Sequence, residues 1–281
     1  MKITPTEFDL IRSYIEGECG ISIPADKQYL VETRLTRLVA ENGCRSFGEF
    51  HRKVTTGANR ALRDRIVDAM TTNETLWFRD GSPWVAMRDQ VLPVLARAAP
   101  GSRKIRIWSA ACSTGQEPYT IAMLIDHQHR VQPARALPPS RFEIVATDIS
   151  PSALFIAMAG RYDRISMSRG LTGDWAPFKS RYFTDQGRVS VLSEDLRKRV
   201  VFKRFNLQNS FTTLGRFDVV FMRNVAIYFS DSFKRTLFDR VANTLNPSGL
   251  LFLGSAETLT SYSNRFEAVE HGRAVIYRRK R

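Results

Sequence analysis

The stretch Ile105 to Met123, IRIWSAACSTGQEPYTIAM, constrains the fold more than any other part of the chain. Ile105 and Ile107 with Trp108 read as a short strand, small residues follow as a loop, and an amphipathic helix takes over beyond Gly115. Ala110, Ala111, Cys112, Ser113 and Gly115 carry little bulk, so the backbone there can approach a ligand closely, and Thr114 or Gly115 can offer unpaired amides near a helix start. Nucleotide-like cofactors are held in this way. The glycine pattern of a dinucleotide fingerprint is absent, and no Lys follows Gly115 as a phosphate-binding loop requires, so diphosphate cofactors are disfavoured. Glu117 falls in the first helical turn, where the helix dipole favours a carboxylate but a bound anion would be repelled. A cofactor with a cationic or neutral head fits better.

The same alternation continues after Pro100. Ile105 to Trp108 and Phe142 to Thr147 alternate with helical stretches at Ile121 to Asp126 and Pro151 to Met158, which predicts right-handed crossovers and a parallel α/β sheet. Val200 to Phe205, Val219 to Met222, Leu250 to Leu253 and Ala274 to Tyr277 supply further strands, with a helix from Ser232 to Leu245 before the turn Asn246-Pro247-Ser248-Gly249. Between Gly160 and Lys198 the pattern breaks, and Arg188 to Leu192 alternates like an exposed strand, so a small antiparallel β insertion is expected at about 160–198. Residues 1–71 read instead as an all-helical domain, with apolar stripes at Phe8, Ile11, Ile15, then Leu30, Val31, Leu35, Leu38, then Leu62, Ile66, Met70. Ser46 and Glu49 have capping-box spacing, and Gly43 suits a helix end. Residues 72–83 are a polar linker around Trp77 and Phe78, and 84–281 form the second domain. Trp77, Phe78 and Trp84 are expected to pack between the domains.

A chain of 281 residues that is 43% hydrophobic is long enough for one large and one small domain. Its 42 Lys and Arg against 28 Asp and Glu give a net charge of +14, which favours a polyanionic or acidic partner. Cys19, Cys44 and Cys112 lack any Cys-x-x-Cys spacing, so neither a disulfide framework nor a zinc site is expected. His127 and His129, two apart, do not share a helix face and read as solvated side chains rather than metal ligands. No apolar run has signal-peptide or membrane-spanning length, so a soluble, cytoplasmic protein is expected.

In open α/β sheets ligands bind beyond the carboxyl ends of the strands. Asp148, after Ile144-Val145-Ala146, is placed either to accept ribose hydroxyls or to cap a helix, although Ser150 before Pro151 is itself a cap pattern. Asn206 and Leu207 set an amide beside an apolar group, suited to an adenine edge and face or simply to a turn. Arg223, Asn224 and Tyr228 follow the strand Val219 to Met222, where Arg223 and Asn224 can equally serve backbone groups. Together these describe a pocket for an adenosine carrying a reactive group.

Jointly, these residues resemble the chemotaxis receptor methyltransferases of the CheR family, over nearly the whole chain. The resemblance rests on TTNETLWFR (Thr71 to Arg79), IWSAACSTGQEPYTIAM (Ile107 to Met123), Asp148, FNL (Phe205 to Leu207) and FMRNVAIYF (Phe221 to Phe229), in family order. It implies a Rossmann-like methyltransferase sheet and transfer of methyl from S-adenosyl-L-methionine to receptor glutamates, leaving glutamate methyl esters and S-adenosyl-L-homocysteine, with no metal. Carried over by position, it implies cofactor contacts from Asn73, Thr75, Arg79, Glu117, Asp148, Asn206, Leu207, Arg223 and Asn224, with Arg79 and Tyr228 facing the reacting centre. The family commonly has two acids where this chain has Gln116 and Glu117, so the carboxylate role goes to Glu117; Trp77 replaces a family Phe. The implied partner is the cytoplasmic helical domain of chemoreceptors; by charge and spacing, Arg34 and Arg37, three apart along one helix edge, either dock its acidic helices or form a solvated basic edge. Some family members grip a receptor-tail pentapeptide with the insertion, but the short turn at Asp185 to Arg188 argues against that here. A monomer is expected.

Two other classes are weighed against this. A nucleic-acid methyltransferase would suit the +14 charge and the basic end Arg278-Arg279-Lys280-Arg281, but amino-group methylation of bases typically uses an Asn or Asp, two Pro and an aromatic where this chain has Arg223-Asn224-Val225-Ala226. A non-catalytic module of the same fold has no need of the whole ligand set.

Overall fold

The computed structural model describes residues 1–57, 59–98 and 101–280. Pro100, where the sequence rhythm changes, and Arg281, the last of the basic run, lie outside the described residues. The chain opens with four helices, α1 (Pro5–Cys19), α2 (Gln28–Glu41), α3 (Phe47–Thr56) and α4 (Arg60–Met70). Phe8, Ile11 and Ile15, Val31, Leu35 and Leu38, Phe47 and Phe50, and Leu62, Ile66 and Met70 close one apolar cluster among them, while Leu30 stays half-buried. The full capping box is at Thr4, whose side chain accepts the Glu7 N–H while the Glu7 carboxylate accepts the Thr4 N–H. At Ser46 only half of the pair forms. Ser46 Oγ accepts the Glu49 N–H at 3.1 Å, but the Glu49 carboxylate turns to the Arg45 N–H at 2.7 Å.

From the linker the chain continues through α5 (Ser82–Ala86) and α6 (Leu92–Ala98) into β1 (Ile105–Ala110), α7 (Gln116–Val131), β2 (Phe142–Asp148) and α8 (Pro151–Ala159). An insertion follows: β3 (Arg161–Asp163), α9 (Arg164–Ser168), α10 (Ala176–Tyr182), β4 (Phe183–Gln186), β5 (Val189–Leu192) and α11 (Glu194–Arg197). The chain then completes β6 (Val200–Arg204), β7 (Phe217–Phe221), α12 (Asp231–Thr244), β8 (Leu245–Phe252), β9 (Phe266–His271) and β10 (Ala274–Arg279). The large sheet has seven strands in the order β6-β2-β1-β7-β8-β10-β9. The run from β6 to β8 is parallel, and β10 is antiparallel to both its neighbours. The order reverses direction at β1, so a crevice opens beyond the carboxyl ends of β1 and β7. Among the described residues no helix is long and apolar enough to cross a membrane.

The structure corrects several local expectations. The Asn246 to Gly249 turn lies inside β8, where the register against β7 shifts between Phe217 and Val219. Pro247 has no N–H to pair and Ser248 takes φ +60°, so the strand accommodates them as an irregularity instead of ending. β9, unread in the sequence, is an edge strand whose FEAVEH pattern is too polar to stand out. β5 is the centre of the small sheet β3-β5-β4 rather than an exposed strand, because Ser190 and Leu192 face inward. Trp77, Phe78 and Trp84 do not pack between the helical domain and the sheet. Trp77 meets Tyr162 and Phe183 edge-on at 4.9 and 5.1 Å, Phe78 stacks on Trp175 at 4.2 Å, and Trp84 stacks on Phe221 at 5.4 Å. Their rings bind the linker to the insertion and the large sheet, since both present deep aromatic surface.

Candidate active site

The loop from β1 to α7 is held in an uncommon backbone. Ala111 and Ser113 have φ of +56° and +51°, a conformation side chains disfavour and functional sites often retain. Gly115 is needed where it stands: φ is +93°, and a Cβ would come within 2.9 Å of the Ala157 Cβ. The Gly115 amide is not left free as expected. It donates to the Cys112 carbonyl at 3.0 Å and closes the turn. The Ser113 amide instead donates to Asp148 Oδ2 at 2.7 Å, and Ser113 Oγ donates to the Asn73 carbonyl at 2.8 Å, which ties the loop to β2 and to the linker.

Glu117 and Gln116 point differently. Glu117 Oε1 accepts from Ser109 Oγ at 2.8 Å and Oε2 from Arg223 Nη1 at 3.3 Å, and the side chain faces the crevice. Burial pushes its carboxyl above the usual range, and Arg223 and Ser109 only partly offset this. Gln116 accepts from the Thr114 hydroxyl at 2.8 Å and does not line the crevice. Asp148, at the end of β2, accepts the Ser113 and Ser150 amides at 2.7 and 2.9 Å; burial still raises its carboxyl. Ser150, not Asp148, caps α8, with its Oγ accepting the Ala153 N–H at 3.1 Å.

Beyond β7, Arg223 is almost wholly buried. It donates to Asp80 Oδ2 at 2.7 Å and to the Arg79 carbonyl at 2.8 Å, and its guanidinium lies 5.3 Å from the Trp84 ring. Asn224 turns at φ +58°, and Glu257 accepts the amides of Asn224, Val225 and Ala226. The next residues meet the N-terminal unit: the Ser22 amide donates to the Tyr228 carbonyl at 2.9 Å, and Ile21 forms an antiparallel bridge with Phe229. Asn206 serves the same docking. Its Nδ2 donates to the Glu18 carbonyl at 2.8 Å and its Oδ1 accepts the Gln208 amide at 2.9 Å, so the amide edge expected to read a base is engaged within the protein.

These pieces converge on one concave cavity beyond the strand ends, where polar groups stand among apolar walls. Asn73, Thr75 and Arg79 line it from the linker, Glu117 and Asp148 from α7 and β2, Asn206 and Leu207 from the segment after β6, and Arg223, Asn224 and Tyr228 from the segment after β7. Arg34 and Arg37 stay outside. Arg34 is tied down rather than free for docking: it donates to the Met70 carbonyl at 2.6 Å and to Thr72 Oγ1 at 2.9 Å, because the open carbonyl end of α4 and the start of the linker lie beside it. Arg37 is 91% exposed and pairs with Glu41 at 2.7 Å.

Sequence reasoning missed Cys19 and Ile21, which close the cavity from the helical unit, and Asp80 and Glu257, which hold its walls. Two of these carried a local signal: Cys19 continues the Phe8, Ile11, Ile15 stripe of α1, and Glu257 follows closely on Gly254 just past a strand end. Burial raises the Cys19 thiol to about 11 and the Cys112 thiol well above its ordinary value, so both line the cavity as neutral groups.

Comparison with known proteins bears on this cavity. Residues 6–71 match the family description "CheR methyltransferase, all-alpha domain" and residues 73–275 match "CheR methyltransferase, SAM binding domain". The chain is 43% identical to "Chemotaxis protein methyltransferase 1" of Pseudomonas aeruginosa over 281 residues, covering 100% of both chains. It is 41% identical to "Chemotaxis protein methyltransferase Cher2" of Pseudomonas putida, covering 98% of each, and 43% identical to "Chemotaxis protein methyltransferase 1" of Vibrio cholerae, covering 99% of this chain and 98% of that one.

Proposed function

The chain belongs to the CheR methyltransferase family, and we propose that its cavity binds S-adenosylmethionine beside the site where a receptor glutamate is esterified. The protein is an S-adenosylmethionine-dependent methyltransferase of chemoreceptors. The observation that carries the site assignment is convergence: residues from the linker, α7, β2 and the segments after β6 and β7 line one cavity with an acidic wall.

The residues fit the cofactor on chemical grounds. Glu74, Glu117 and Asp148 line the cavity with Asp80 beside it, against Arg79 and Arg223 on the same wall, so a cationic ligand offsets a surplus of negative charge. When bound, S-adenosylmethionine supplies an electrophilic methyl on a sulfonium. Glu117 would hold its ammonium end, and Asp148, anchored by two amides, would accept the ribose hydroxyls. Leu207 and Phe205 supply the apolar wall for the base.

A free glutamate has a pKa near 4.3, so the substrate carboxylate is already ionised at neutral pH and needs no general base. The protein's task is positioning: holding carboxylate oxygen and methyl carbon in line at roughly 3 Å. Arg79 and Tyr228, on the cavity wall, orient the incoming carboxylate. Its source is an acidic helix of the receptor's cytoplasmic domain, met by a monomer in the cytoplasm, with the exposed Arg37 edge as part of the docking face. The β4–β5 connection is a tight turn at Gly187, closed by Asp185 Oδ1 on the Gly187 amide at 3.0 Å, and it leaves no long loop to wrap a tail peptide.

Calorimetry with S-adenosylhomocysteine tests the site: the wild type binds and Asp148→Ala does not, whereas equal affinity removes Asp148 from the cavity's ligand set. A radiolabelled methyl donor with receptor-containing membranes tests the reaction. Base-labile ester on the receptor is the expected product, and label confined to nucleic acid would support base modification instead.

A further inference from the structure

Glu257 stands behind the loop that follows β7. Its Oε2 accepts the Asn224 amide at 2.6 Å and the Gly254 amide at 2.7 Å, and its Oε1 accepts the Val225 and Ala226 amides at 3.1 and 2.8 Å. Consecutive amides converging on one anion form a nest, here filled by the chain's own carboxylate. The left-handed turn at Asn224, φ +58°, belongs to that arrangement. Gly254 permits it, since a Cβ there would lie 2.5 Å from Asn224 Nδ2 and 2.8 Å from Glu257 Oε2. Glu257 itself does not line the cavity, whereas Arg223, Asn224, Val225 and Tyr228 do.

We propose that Glu257 is a positioning residue for methyl transfer, locking residues 224–226 so that Asn224 and Tyr228 face the reacting centre. This rests on the reading of the cavity given above. Hydrogen bonds to an ionised acceptor are roughly twice as strong as neutral ones, and several of them hold a backbone that Asn224 would otherwise relax. The adenosine half of the cavity is built elsewhere, by Asp148, Leu207 and the linker, none of which is hydrogen-bonded to Glu257. Loss of Glu257 therefore leaves the Asp148 and Leu207 contacts in place and, although Asn224 shares the cofactor's cavity, lowers the rate more than cofactor affinity.

The test compares wild type, Glu257→Ala and Glu257→Gln for S-adenosylhomocysteine affinity by calorimetry and for kcat on receptor-containing membranes, each with and without added acetate. Glu257→Ala is expected to lose about 100-fold in kcat, the effect of a misplacement near 1 Å, while its S-adenosylhomocysteine Kd stays within about 5-fold. Acetate, entering the vacated nest, restores part of the Glu257→Ala rate and leaves the wild type unchanged. Glu257→Gln falls between the two, because one carbonyl oxygen still accepts amides while its NH2 opposes them. The proposal is overturned if both variants stay within about 3-fold of the wild-type kcat, or if kcat and affinity fall in parallel with no gain from acetate. Should Glu257→Ala not fold, Glu257→Gln decides alone by the same split between kcat and Kd. A wild-type chain that does not bind S-adenosylhomocysteine overturns the cavity reading itself, and is told apart from failure of the Glu257 role by that first titration.

Discussion

The Arg223 guanidinium and the Glu117 carboxylate meet at 3.3 Å with both side chains almost out of water, Arg223 at 1% exposure and Glu117 at 11%. Arg223 also serves Asp80 at 2.7 Å, so one buried cation is shared between two acids. Sharing leaves Glu117 under-compensated, consistent with the upward push that burial gives its carboxyl. A ligand with a positive end restores the balance.

Glu117→Gln is expected to keep the shape and the Ser109 contact while removing the charge. A hydrogen bond to a charged group contributes about 1.5–3 kcal/mol, so S-adenosylhomocysteine affinity should drop about 10- to 100-fold by calorimetry. Arg223→Ala leaves the Glu117 carboxylate, 11% exposed, without its cation, while the more open Asp80 can turn to water, and should lower unfolding free energy by about 3 kcal/mol in a urea titration.

Cofactor affinity should weaken as pH falls. Burial raises the carboxyls of both Glu117 and Asp148, and the ligand prefers their ionised forms. In the free chain the sign is opposite: the stability these groups contribute is full below their unfolded pKa values and is lost as pH rises through the raised folded ones. Binding is therefore expected to level off above the raised values and to decline below them, with protons released on binding in the decline. Titrations in buffers of different ionisation enthalpy measure that release, and Asp148→Asn should reduce it.

Gly170 has φ +93°, and a Cβ there would overlap the Trp77 carbonyl oxygen, a backbone atom that has no freedom to yield. The Trp77 amide donates to the Arg169 carbonyl at 3.3 Å alongside. Gly170→Ala should destabilise the chain by about 2–4 kcal/mol, combining backbone strain with displaced aromatic packing, and should lower Tm in a thermal melt. An unchanged melt would show that the insertion is not pinned to the linker here.

Arg34 and Arg37 should separate by role. Arg34→Ala frees the Met70 carbonyl and Thr72, next to the cavity wall at Thr71 to Thr75, and is expected to raise the S-adenosylhomocysteine Kd several-fold. Arg37→Ala, altering only an exposed pair, should leave that Kd unchanged and raise KM for the receptor. Identical behaviour of the two variants would contradict this division.

Much of this protein was legible in local order. The strand, small-residue loop and helix of Ile105 to Met123 have the expected order in β1 and α7, and the apolar stripes of residues 8–70 lie in one cluster. Side-chain period and bulk carry such information because they report on neighbours within a few residues. Glu117 beside Gln116 is a case at the limit of that reach: in the structure Glu117 faces the crevice, and Gln116 accepts from Thr114 instead.

Chain chemistry alone determined the alternation that makes a parallel sheet, the helical start, and which acids, amides and cations stand at strand ends. Tertiary structure decided where they converge: Arg223 reaches Glu117 across 106 residues and Asn206 reaches the Glu18 carbonyl across 188, while Asp80 and Glu257 join the site with no periodic mark of their own. The physical reason is that hydrophobic periodicity is a local property of one element. A buried charge or an amide nest is satisfied only when distant elements pack, so the partners of Arg223 and Glu257 exist only in the folded chain.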